Sequence, residues 1–343
     1  MKTILILFIV GCQAFLALAQ GTTPYLTKSL SADDIKDVIV RTTEGNIMVS
    51  GSTGEDSRIE VYISENNKEL TKGGIEKRLE EDYVLDISVS DHELHVIAKN
   101  KDNGNYDEDS NKQLHFSFKI FVPRNTNTDL VAIGGNIQLD NLSGQETFTS
   151  SGGNLNIDQL NGLIIGKTSG GNIEVSRSSD DISLKTSGGY IHAINCHGKL
   201  RFGTSGRSLK LDSLKGSIEA YTSGGSIFAN NIEGELTTHT SGGNINLTKL
   251  SCSLEASISG GSMDIGFVQT KNYVKLHVNG GNIKLNLPLK QGFDLNLSAN
   301  SINKPIVKDF SGEWKETYVN GRLNGGGIAV DLETNEIASL SFN

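Results

Sequence analysis

Hydrophobic and polar residues alternate along most of the chain, in short segments separated by glycine-rich turns. Alternation with a period of two residues is typical of a β-strand that buries one face. Between residues 133 and 285 this pattern recurs every eighteen residues. The apolar pairs that follow each turn are predicted to point inward: Ile137/Leu139, Leu155/Ile157, Ile173/Val175, Ile191/Ala193, Leu209/Leu211, Ile227/Ala229, Ile245/Leu247, Met263/Ile265 and Ile283/Leu285.

Glycine marks two corners in each repeat. Ser-Gly-Gly triplets begin at residues 151, 169, 187, 223, 241 and 259, and Ser205-Gly206-Arg207 occupies the missing place. The triplet at Asn279 comes two residues late, which predicts a small insertion near Gln269 to Tyr273. The second corner is marked by Gly144, Gly162, Asp180, Gly198, Gly216 and Gly234. We attribute the corner glycines to a requirement for positive φ.

A coil of eighteen residues cannot bury its own apolar face, so neighbouring coils must stack. The sequence therefore predicts an all-β, single-stranded parallel β-solenoid of about eight or nine coils, some 40 Å long at about 4.8 Å per coil. We expect four segments along the chain: a signal peptide at 1–19, an N-terminal β-region at 20–131, the repeat solenoid at 132–290, and a C-terminal β cap at 291–343.

The first residues have the pattern of a secretory signal. Lys2 precedes an apolar run, and Ala17-Leu18-Ala19 provides a small-x-small cleavage site. The alternative is a lipid anchor at Cys12, although the apolar stretch continues beyond that residue. No other segment has the ~18 apolar residues that would cross a bilayer. The sequence thus predicts an exported protein, in the periplasm, at the cell surface or outside the cell, without a transmembrane segment.

Two cysteines, Cys196 and Cys252, follow the predicted cleavage site. They lie three coils apart, which is about 14 Å at the spacing of strands, whereas a disulfide needs Cα atoms within about 7 Å. We therefore expect two free, buried thiols. The net charge of −9 and the lack of a basic cluster argue against a nucleic-acid partner.

Hydroxyl side chains form the most regular columns of the repeat. The threonines at 168, 186, 204, 222 and 240 are expected to be exposed and to form a ladder across the coils. An ice-binding face is the alternative interpretation of this column. The corner serines recur six times, whereas a catalytic serine needs a base at one unique position. We expect the serine hydroxyls to cap backbone groups.

Enzymes that degrade polysaccharides are the catalytic alternative, and they need paired carboxylates on one face. In the outward columns no two acids are neighbours; Glu219 and Glu255 lie two coils apart, about 10 Å. A calcium site would need several carboxylates at the corners, and the seven histidines are dispersed. The sequence therefore predicts no catalytic residue, no metal and no cofactor.

Three elements of the chain carry a resemblance to known proteins. Gly45 to Val49, Ile120 to Pro123 and the repeated Ser-Gly-Gly-Asn-Ile coils resemble the bacterial putative adhesin families of unknown function. The resemblance extends to the Gly-Gly-Gly-Ile element at 325–328. It implies a β-solenoid on an exported protein and an adhesive role, with no established catalytic residues.

The candidate contact residues are the exposed aromatics Tyr190, Tyr221 and Phe228, which could form a patch for a glycan or an extracellular protein. The predicted function is that of a non-enzymatic adhesin, or cell-envelope surface-binding protein, acting through an extended solenoid face. The alternatives are a structural envelope scaffold without a dedicated ligand, and a polysaccharide-active enzyme on a β-helix. The sequence leaves the ligand, the handedness of the coil and the oligomeric state open.

Overall fold

The computed structural model describes residues 23–52, 56–65, 68–101 and 113–343. The predicted signal peptide and Cys12 lie outside the described residues. These residues are all-β apart from one helix, α1 (Lys72–Glu81), and hydrogen bonds join their strands into one large mixed sheet. The all-β prediction is confirmed. Within the described ranges, no helix has the length and apolar character needed to span a membrane.

The strands fall into three groups along the chain. Before the repeat lie β1 (Leu26–Ser29), β2 (Asp37–Thr42), β3 (Ile47–Ser52), β4 (Arg58–Glu65), β5 (Lys68–Glu69), β6 (Tyr83–Ser90), β7 (Glu93–Asn100) and β8 (Leu114–Pro123). The repeat contains β9 (Asn127–Ala132), β10 (Ile137–Asp140), β11 (Ser143–Ser150), β12 (Leu155–Asp158), β13 (Asn161–Thr168), β14 (Ile173–Ser176), β15 (Ser179–Thr186), β16 (Ile191–Ile194), β17 (His197–Thr204), β18 (Leu209–Thr222), β19 (Ile227–Thr240), β20 (Ile245–Ile258) and β21 (Met263–Val278). After it come β22 (Ile283–Leu287), β23 (Phe293–Ser298), β24 (Ser301–Ile302), β25 (Phe310–Trp314), β26 (Tyr318–Leu323), β27 (Ile328–Thr334) and β28 (Ile337–Phe342).

Each repeat contributes one short and one long strand segment, which are continuous from β18 onward. The short segments pair in parallel with one another, as in Ile173 with Ile191, and we call this the short-strand ladder. The long segments do the same, as in Ile182 with Leu200, and form the long-strand ladder. Both pairs are eighteen residues apart, so the period of the sequence is the register of the parallel pairing.

The residues predicted to point inward are buried along the short-strand ladder. The insertion predicted near residues 269 to 273 is also present, because the register of β20 with β21 shifts from Cys252–Thr270 to Leu254–Val274. Cys196 and Cys252 are free and buried, as predicted. Burial raises the pKa of the Cys196 thiol to about 11 and that of Cys252 to about 12, so both remain unreactive thiols at neutral pH.

The last glycine of the Ser-Gly-Gly corner is required by close stacking of the coils. In Gly171 the φ angle lies outside the left-handed region, but a Cβ there would come 1.9 Å from the carbonyl oxygen of Gly153 in the preceding coil. Our attribution of this corner to positive φ is therefore wrong for most coils. It holds at the second corner from Gly162 onward, where Gly162 has φ +115° and Gly198 has φ +120°, but not at Gly144.

The threonine column is buried, which contradicts the expected exposed ladder. Thr186 is 5% exposed; its Oγ1 donates to the carbonyl oxygen of Gly171 at 2.7 Å and accepts from the amide of Gly189 at 3.1 Å. Equivalent pairs of bonds occur at Thr168, Thr222 and Thr240. Threonine, rather than the corner serine, therefore caps the backbone of the corner, and each hydroxyl joins two successive coils.

The two ends of the ladders contain strands that are out of chain order. β2 pairs in parallel with both β7 and β9, and β3 pairs with both β8 and β10. At the other end β27 lies between β21 and β23, and β28 lies between β22 and β24. Hydrogen bonding between strands thus crosses the predicted boundary at residue 131, and the C-terminal segment inserts a coil rather than following the last repeat.

Candidate functional site

The three aromatic residues selected from the sequence lie on two different surfaces. Phe228 is on the short-strand ladder, between Lys210 and Asn246. Tyr190 is in the corner that leads into the short strand β16. Tyr221 is instead on the long-strand ladder, between Gly203 and His239. The structure therefore places Tyr190 and Phe228 along one face and separates Tyr221 from them.

The contacts of the two tyrosines limit how much of each ring is open to a ligand. The Tyr221 ring lies over Gly203, whose added Cβ would come 2.2 Å from Cζ of the ring, and Lys185 Nζ is 5.8 Å from the ring centre. The Tyr190 hydroxyl donates to Oε1 of Glu174 at 3.0 Å. Burial and the Glu174 carboxylate raise the pKa of Tyr190. Both rings thus pack along the strand surface, and only their outer faces are available for contacts.

A groove of about 470 Å³ crosses the short-strand ladder at its C-terminal end. We call it the short-strand groove. It begins beside Phe228, because Asn246 in its lining is the ladder neighbour of that residue. It is lined by Asn244, Ile245, Asn246, Ser262, Met263, Asp264, Asn282, Ile283, Lys284, Ile337 and Ser339.

One row of the groove floor is fixed by hydrogen bonds that run along the ladder. Oδ1 of Asn244 accepts from the amide of Ser262 at 2.9 Å, and Oγ of Ser262 accepts from the amide of Asn282 at 3.3 Å. Oδ1 of Asn282 accepts from the amide of Ile337 at 3.2 Å. Because the amide oxygens are used in this way, the Nδ2 groups of Asn244 and Asn282 remain as donors at an exposed surface.

The second row contains the two charged side chains of the groove, Asp264 and Lys284, and the side-chain amide of Asn246. Nζ of Lys284 donates to Oδ2 of Asp264 at 3.3 Å, and both side chains are more than half exposed. Asn246 is exposed and forms no side-chain hydrogen bond with any other described residue. This amide can therefore donate two hydrogen bonds and accept others without breaking a contact of the fold.

Two exposed apolar side chains stand at opposite ends of this polar floor. Phe228 is 47% exposed and Ile337 is 49% exposed. They lie four strand steps apart, since the ladder runs from β19 through β20, β21 and β22 to β28. At about 4.8 Å per step, the distance along the ladder is about 19 Å. Exposed apolar side chains that border a polar groove are typical of binding surfaces.

A second groove, of about 390 Å³, lies on the long-strand ladder where β21, β27 and β23 meet. Its charged groups are partly paired. Nδ1 of His277 lies 3.1 Å from Oε2 of Glu333, and Nδ2 of Asn296 donates to Oδ1 of Asp331 at 3.0 Å. Its lining residues include no exposed large apolar side chain. We therefore assign the candidate site to the short-strand groove.

Among the described residues, the two carboxylates considered from the sequence do not form a pair, and no metal-binding group competes with this groove. Thr237 separates Glu219 from Glu255 in the ladder, and Glu219 instead lies 3.5 Å from Arg201. No group of three or more His, Cys, Asp or Glu side chains in the described ranges is arranged to hold a metal ion.

Two residues of the groove, Ile337 and Ser339, could not be found from the sequence. They belong to β28, which pairs with β22 about 55 residues earlier in the chain, as in Ile283 with Ala338. The column of Asn246 and Asp264 is visible in the repeat, but the strand that completes the groove lies outside the periodic segment. The Gly-Gly-Gly-Ile element at 325–328 was the available signal in the sequence, although it does not give the register of the strand pairing.

No family model matches the sequence, and no curated protein matches it. The solved structures that are similar to it include the following two. One is a putative adhesin from Bacteroides fragilis, with 16% identity over 76% of this chain and 95% of that chain and a TM-score of 0.31. The other is a putative cell adhesion protein from Clostridium sporogenes, with 11% identity over 93% of this chain and 98% of that chain and a TM-score of 0.20. TM-scores below 0.5 do not establish a common fold.

Proposed function

We propose that this protein is an exported attachment protein, an adhesin without catalytic activity, built on an open parallel β-solenoid. In this proposal the solenoid is a rod, and ligand binds across the short-strand ladder. The observation that supports it is the short-strand groove, in which a hydrogen-bonding floor lies between exposed Phe228 and Ile337. We propose Phe228 as a direct contact and Tyr190 as a further contact on the same face.

The groove is better suited to binding a ligand than to catalysing a reaction. Its ionisable groups, Asp264 and Lys284, form an ion pair that is open to solvent, and catalysis of glycoside hydrolysis needs two carboxyl groups facing the same bond. The row of side chains formed by Asn244, Ser262 and Asn282 is held by backbone amides of successive strands. A surface fixed in this way loses little conformational freedom when a ligand binds.

The test is binding of the purified protein to an array of glycans and extracellular matrix proteins. We expect saturable binding to at least one component, weakened about tenfold or more by Phe228→Ala combined with Asn246→Ala. Tyr221→Ala is the matched control, because Tyr221 is similarly exposed, at 39%, but lies on the long-strand ladder. It should leave binding within about twofold.

Each other outcome contradicts the proposal in a specific way. A blank array from folded protein, with a normal β-sheet circular dichroism spectrum, would favour the envelope scaffold without a ligand. Release of oligosaccharides from a polysaccharide would favour an enzyme. Binding that is lost in Tyr221→Ala and kept in the double variant would move the contact surface to the long-strand ladder.

A further inference from the structure

We infer that the short-strand groove binds an uncharged polysaccharide chain, lying along the ladder from Phe228 toward Ile337. This inference rests on the proposed function and specifies its ligand. It depends on three properties of the groove: its charge balance, its free hydrogen-bonding groups, and the exposed apolar side chains at its two ends, Ile337 in the lining and Phe228 beside it.

The charge balance argues against an ionic ligand. The charged side chains that line the groove are Asp264 and Lys284, and they neutralise each other at 3.3 Å. A polyanion or polycation is normally held by an excess of the opposite charge, which also steers its approach. The groove has no such excess although the whole chain carries a net charge of −9. Its ligand should therefore bind with little dependence on salt concentration.

The free hydrogen-bonding groups match hydroxyl groups. Asn246 offers a donor and an acceptor side by side, and a planar amide of this kind can bond to two neighbouring hydroxyls of one ring. Nδ2 of Asn244 and Nδ2 of Asn282 add donors in the adjacent row, because their Oδ1 atoms are occupied by backbone amides. Asn244 and Asn282 lie two strand steps apart, with Ser262 between them, which is about 10 Å and suits a ligand with a repeating unit.

The apolar side chains match the faces of sugar rings. A pyranose has hydroxyl groups around its edge and C–H groups on its faces, so it can bond to amides while it packs on an apolar surface. Phe228 presents an aromatic ring beside Asn246, and aromatic rings attract positively polarised hydrogens to their faces. Ile337 provides a second apolar contact about 19 Å further along the ladder, which requires an extended chain rather than a single sugar.

The test uses the full protein with three classes of soluble polysaccharide: dextran, mannan and laminarin as uncharged probes, alginate as a polyanion, and chitosan as a polycation. Affinity is measured by calorimetry at about 0.05 M and about 0.5 M NaCl. We expect an uncharged probe to bind, with a Kd that changes less than about twofold between the two salt concentrations. Replacement of the charged pair, Asp264→Asn with Lys284→Gln, should change that Kd less than about threefold.

The apolar contacts are tested by a matched pair of substitutions. Ile337→Ser should weaken binding of the uncharged probe about fivefold or more. Val268→Ser is the control, since Val268 is 63% exposed and does not line the groove, and it should leave the Kd within about twofold. Phe228→Ala should weaken binding about tenfold.

The outcomes separate this inference from the proposed function. Binding confined to alginate or chitosan, or to a matrix protein, and lost in Phe228→Ala would overturn the inference and leave the attachment function standing. Uncharged probes that bind equally well to Phe228→Ala and Ile337→Ser would overturn the placement of the ligand in the groove. No binding to any polysaccharide or matrix protein would overturn both.

Discussion

The central repeat and the two ends of the ladders use the same contacts between strands, but the partners differ greatly in distance along the chain. In the repeat the amide of Asn172 donates to Oδ1 of Asn154, eighteen residues earlier, at 2.8 Å. At the N-terminal end the amide of Asn136 donates to Oδ1 of Asn46, 90 residues earlier, at 2.9 Å. These contacts therefore depend on which strands are neighbours in the ladder, and not on how many residues separate the two partners in the sequence.

The threonine bond gives the same comparison at the C-terminal end. Thr186 in the repeat donates to the carbonyl oxygen of Gly171 at 2.7 Å, fifteen residues away. Thr334 in the inserted coil donates to that of Gly281 at 2.7 Å, 53 residues away. The inserted coil thus reproduces the corner of the repeat although the sequence between the two partners contains strands β22 to β26.

The strongest way to break the stacking is at the last glycine of a corner. Gly171→Ala places a Cβ 1.9 Å from the carbonyl oxygen of Gly153, so the backbones must separate. We expect a loss of about 3 kcal/mol or more in the free energy of unfolding, measured by urea denaturation. Gly135→Ala should cost as much, because its Cβ would come 1.7 Å from the carbonyl oxygen of Gly45 in the out-of-order coil.

Gly170→Ala is the control for both variants. The nearest atoms to its added Cβ are 3.7 Å away, at ordinary contact distance, and we expect a change within about 0.5 kcal/mol. Equal losses for Gly170→Ala and Gly171→Ala would show that the glycines act through backbone flexibility and not through the approach of the coils.

The second largest effect is expected where the repeat meets the N-terminal coil. Glu146 is fully buried at a position that is isoleucine in the next coil, Ile164. Its Oε2 accepts from the hydroxyl of Thr128 at 2.5 Å, and Oε1 has no hydrogen-bond partner among the described residues. Burial raises the pKa of this carboxyl to about 7 from its ordinary 4.5. The carboxyl is therefore neutral in the folded protein below that pH.

This pKa makes stability depend on pH. Since the folded pKa lies above the unfolded one, the native state binds more protons between pH 4.5 and 7, and stability falls as pH rises through this window. The loss should be about 3 kcal/mol and should be complete above pH 7. Glu146→Gln should remove this dependence in urea denaturation at pH 4.5 and pH 8. A wild-type slope that persists in Glu146→Gln would assign it to other groups.

The smallest expected effect tests whether the inserted coil is stabilised in the same way as a coil of the repeat. Thr186→Val leaves a buried carbonyl and a buried amide without their hydroxyl partner, which should cost about 2 kcal/mol. Thr186→Ser keeps the hydroxyl and should cost less than about 1 kcal/mol. If the inserted coil is equivalent, Thr334→Val should cost as much as Thr186→Val in thermal unfolding. A negligible cost at Thr334 would show that the C-terminal coil is held mainly by its other strands.

The sequence was sufficient to predict the parts of the fold that repeat locally. The period of eighteen residues gives the pairing of Ile173 with Ile191 because each strand meets its immediate predecessor. It gives no information on β2, β3, β27 and β28, whose partners lie some 35 to 90 residues away and outside any period. The groove was missed for the same reason, since Ile337 reaches it from β28.

The burial of the threonines could have been predicted from the sequence, although we expected the column to be exposed. Ile182 and Leu184 point inward, and continuing their alternation by two residues places Thr186 inward as well. The polar character of the side chain led to the expectation of exposure. The structure explains why a polar side chain is buried here, because the hydroxyl has both a donor and an acceptor partner at the corner. A hydroxyl whose hydrogen bonds are formed is tolerated in a core.

The out-of-order coils also determine when each part of the protein can form. A central coil can add to its neighbour by closing a loop of eighteen residues, so the repeat can grow stepwise as the chain is synthesised. β2 and β3 acquire their neighbours β9 and β10 only after 90 more residues are present. β27 can enter between β21 and β23 only after residues 328–334 have been synthesised. Because contacts between distant residues form slowly, the middle of the molecule should fold first and its two ends should close last.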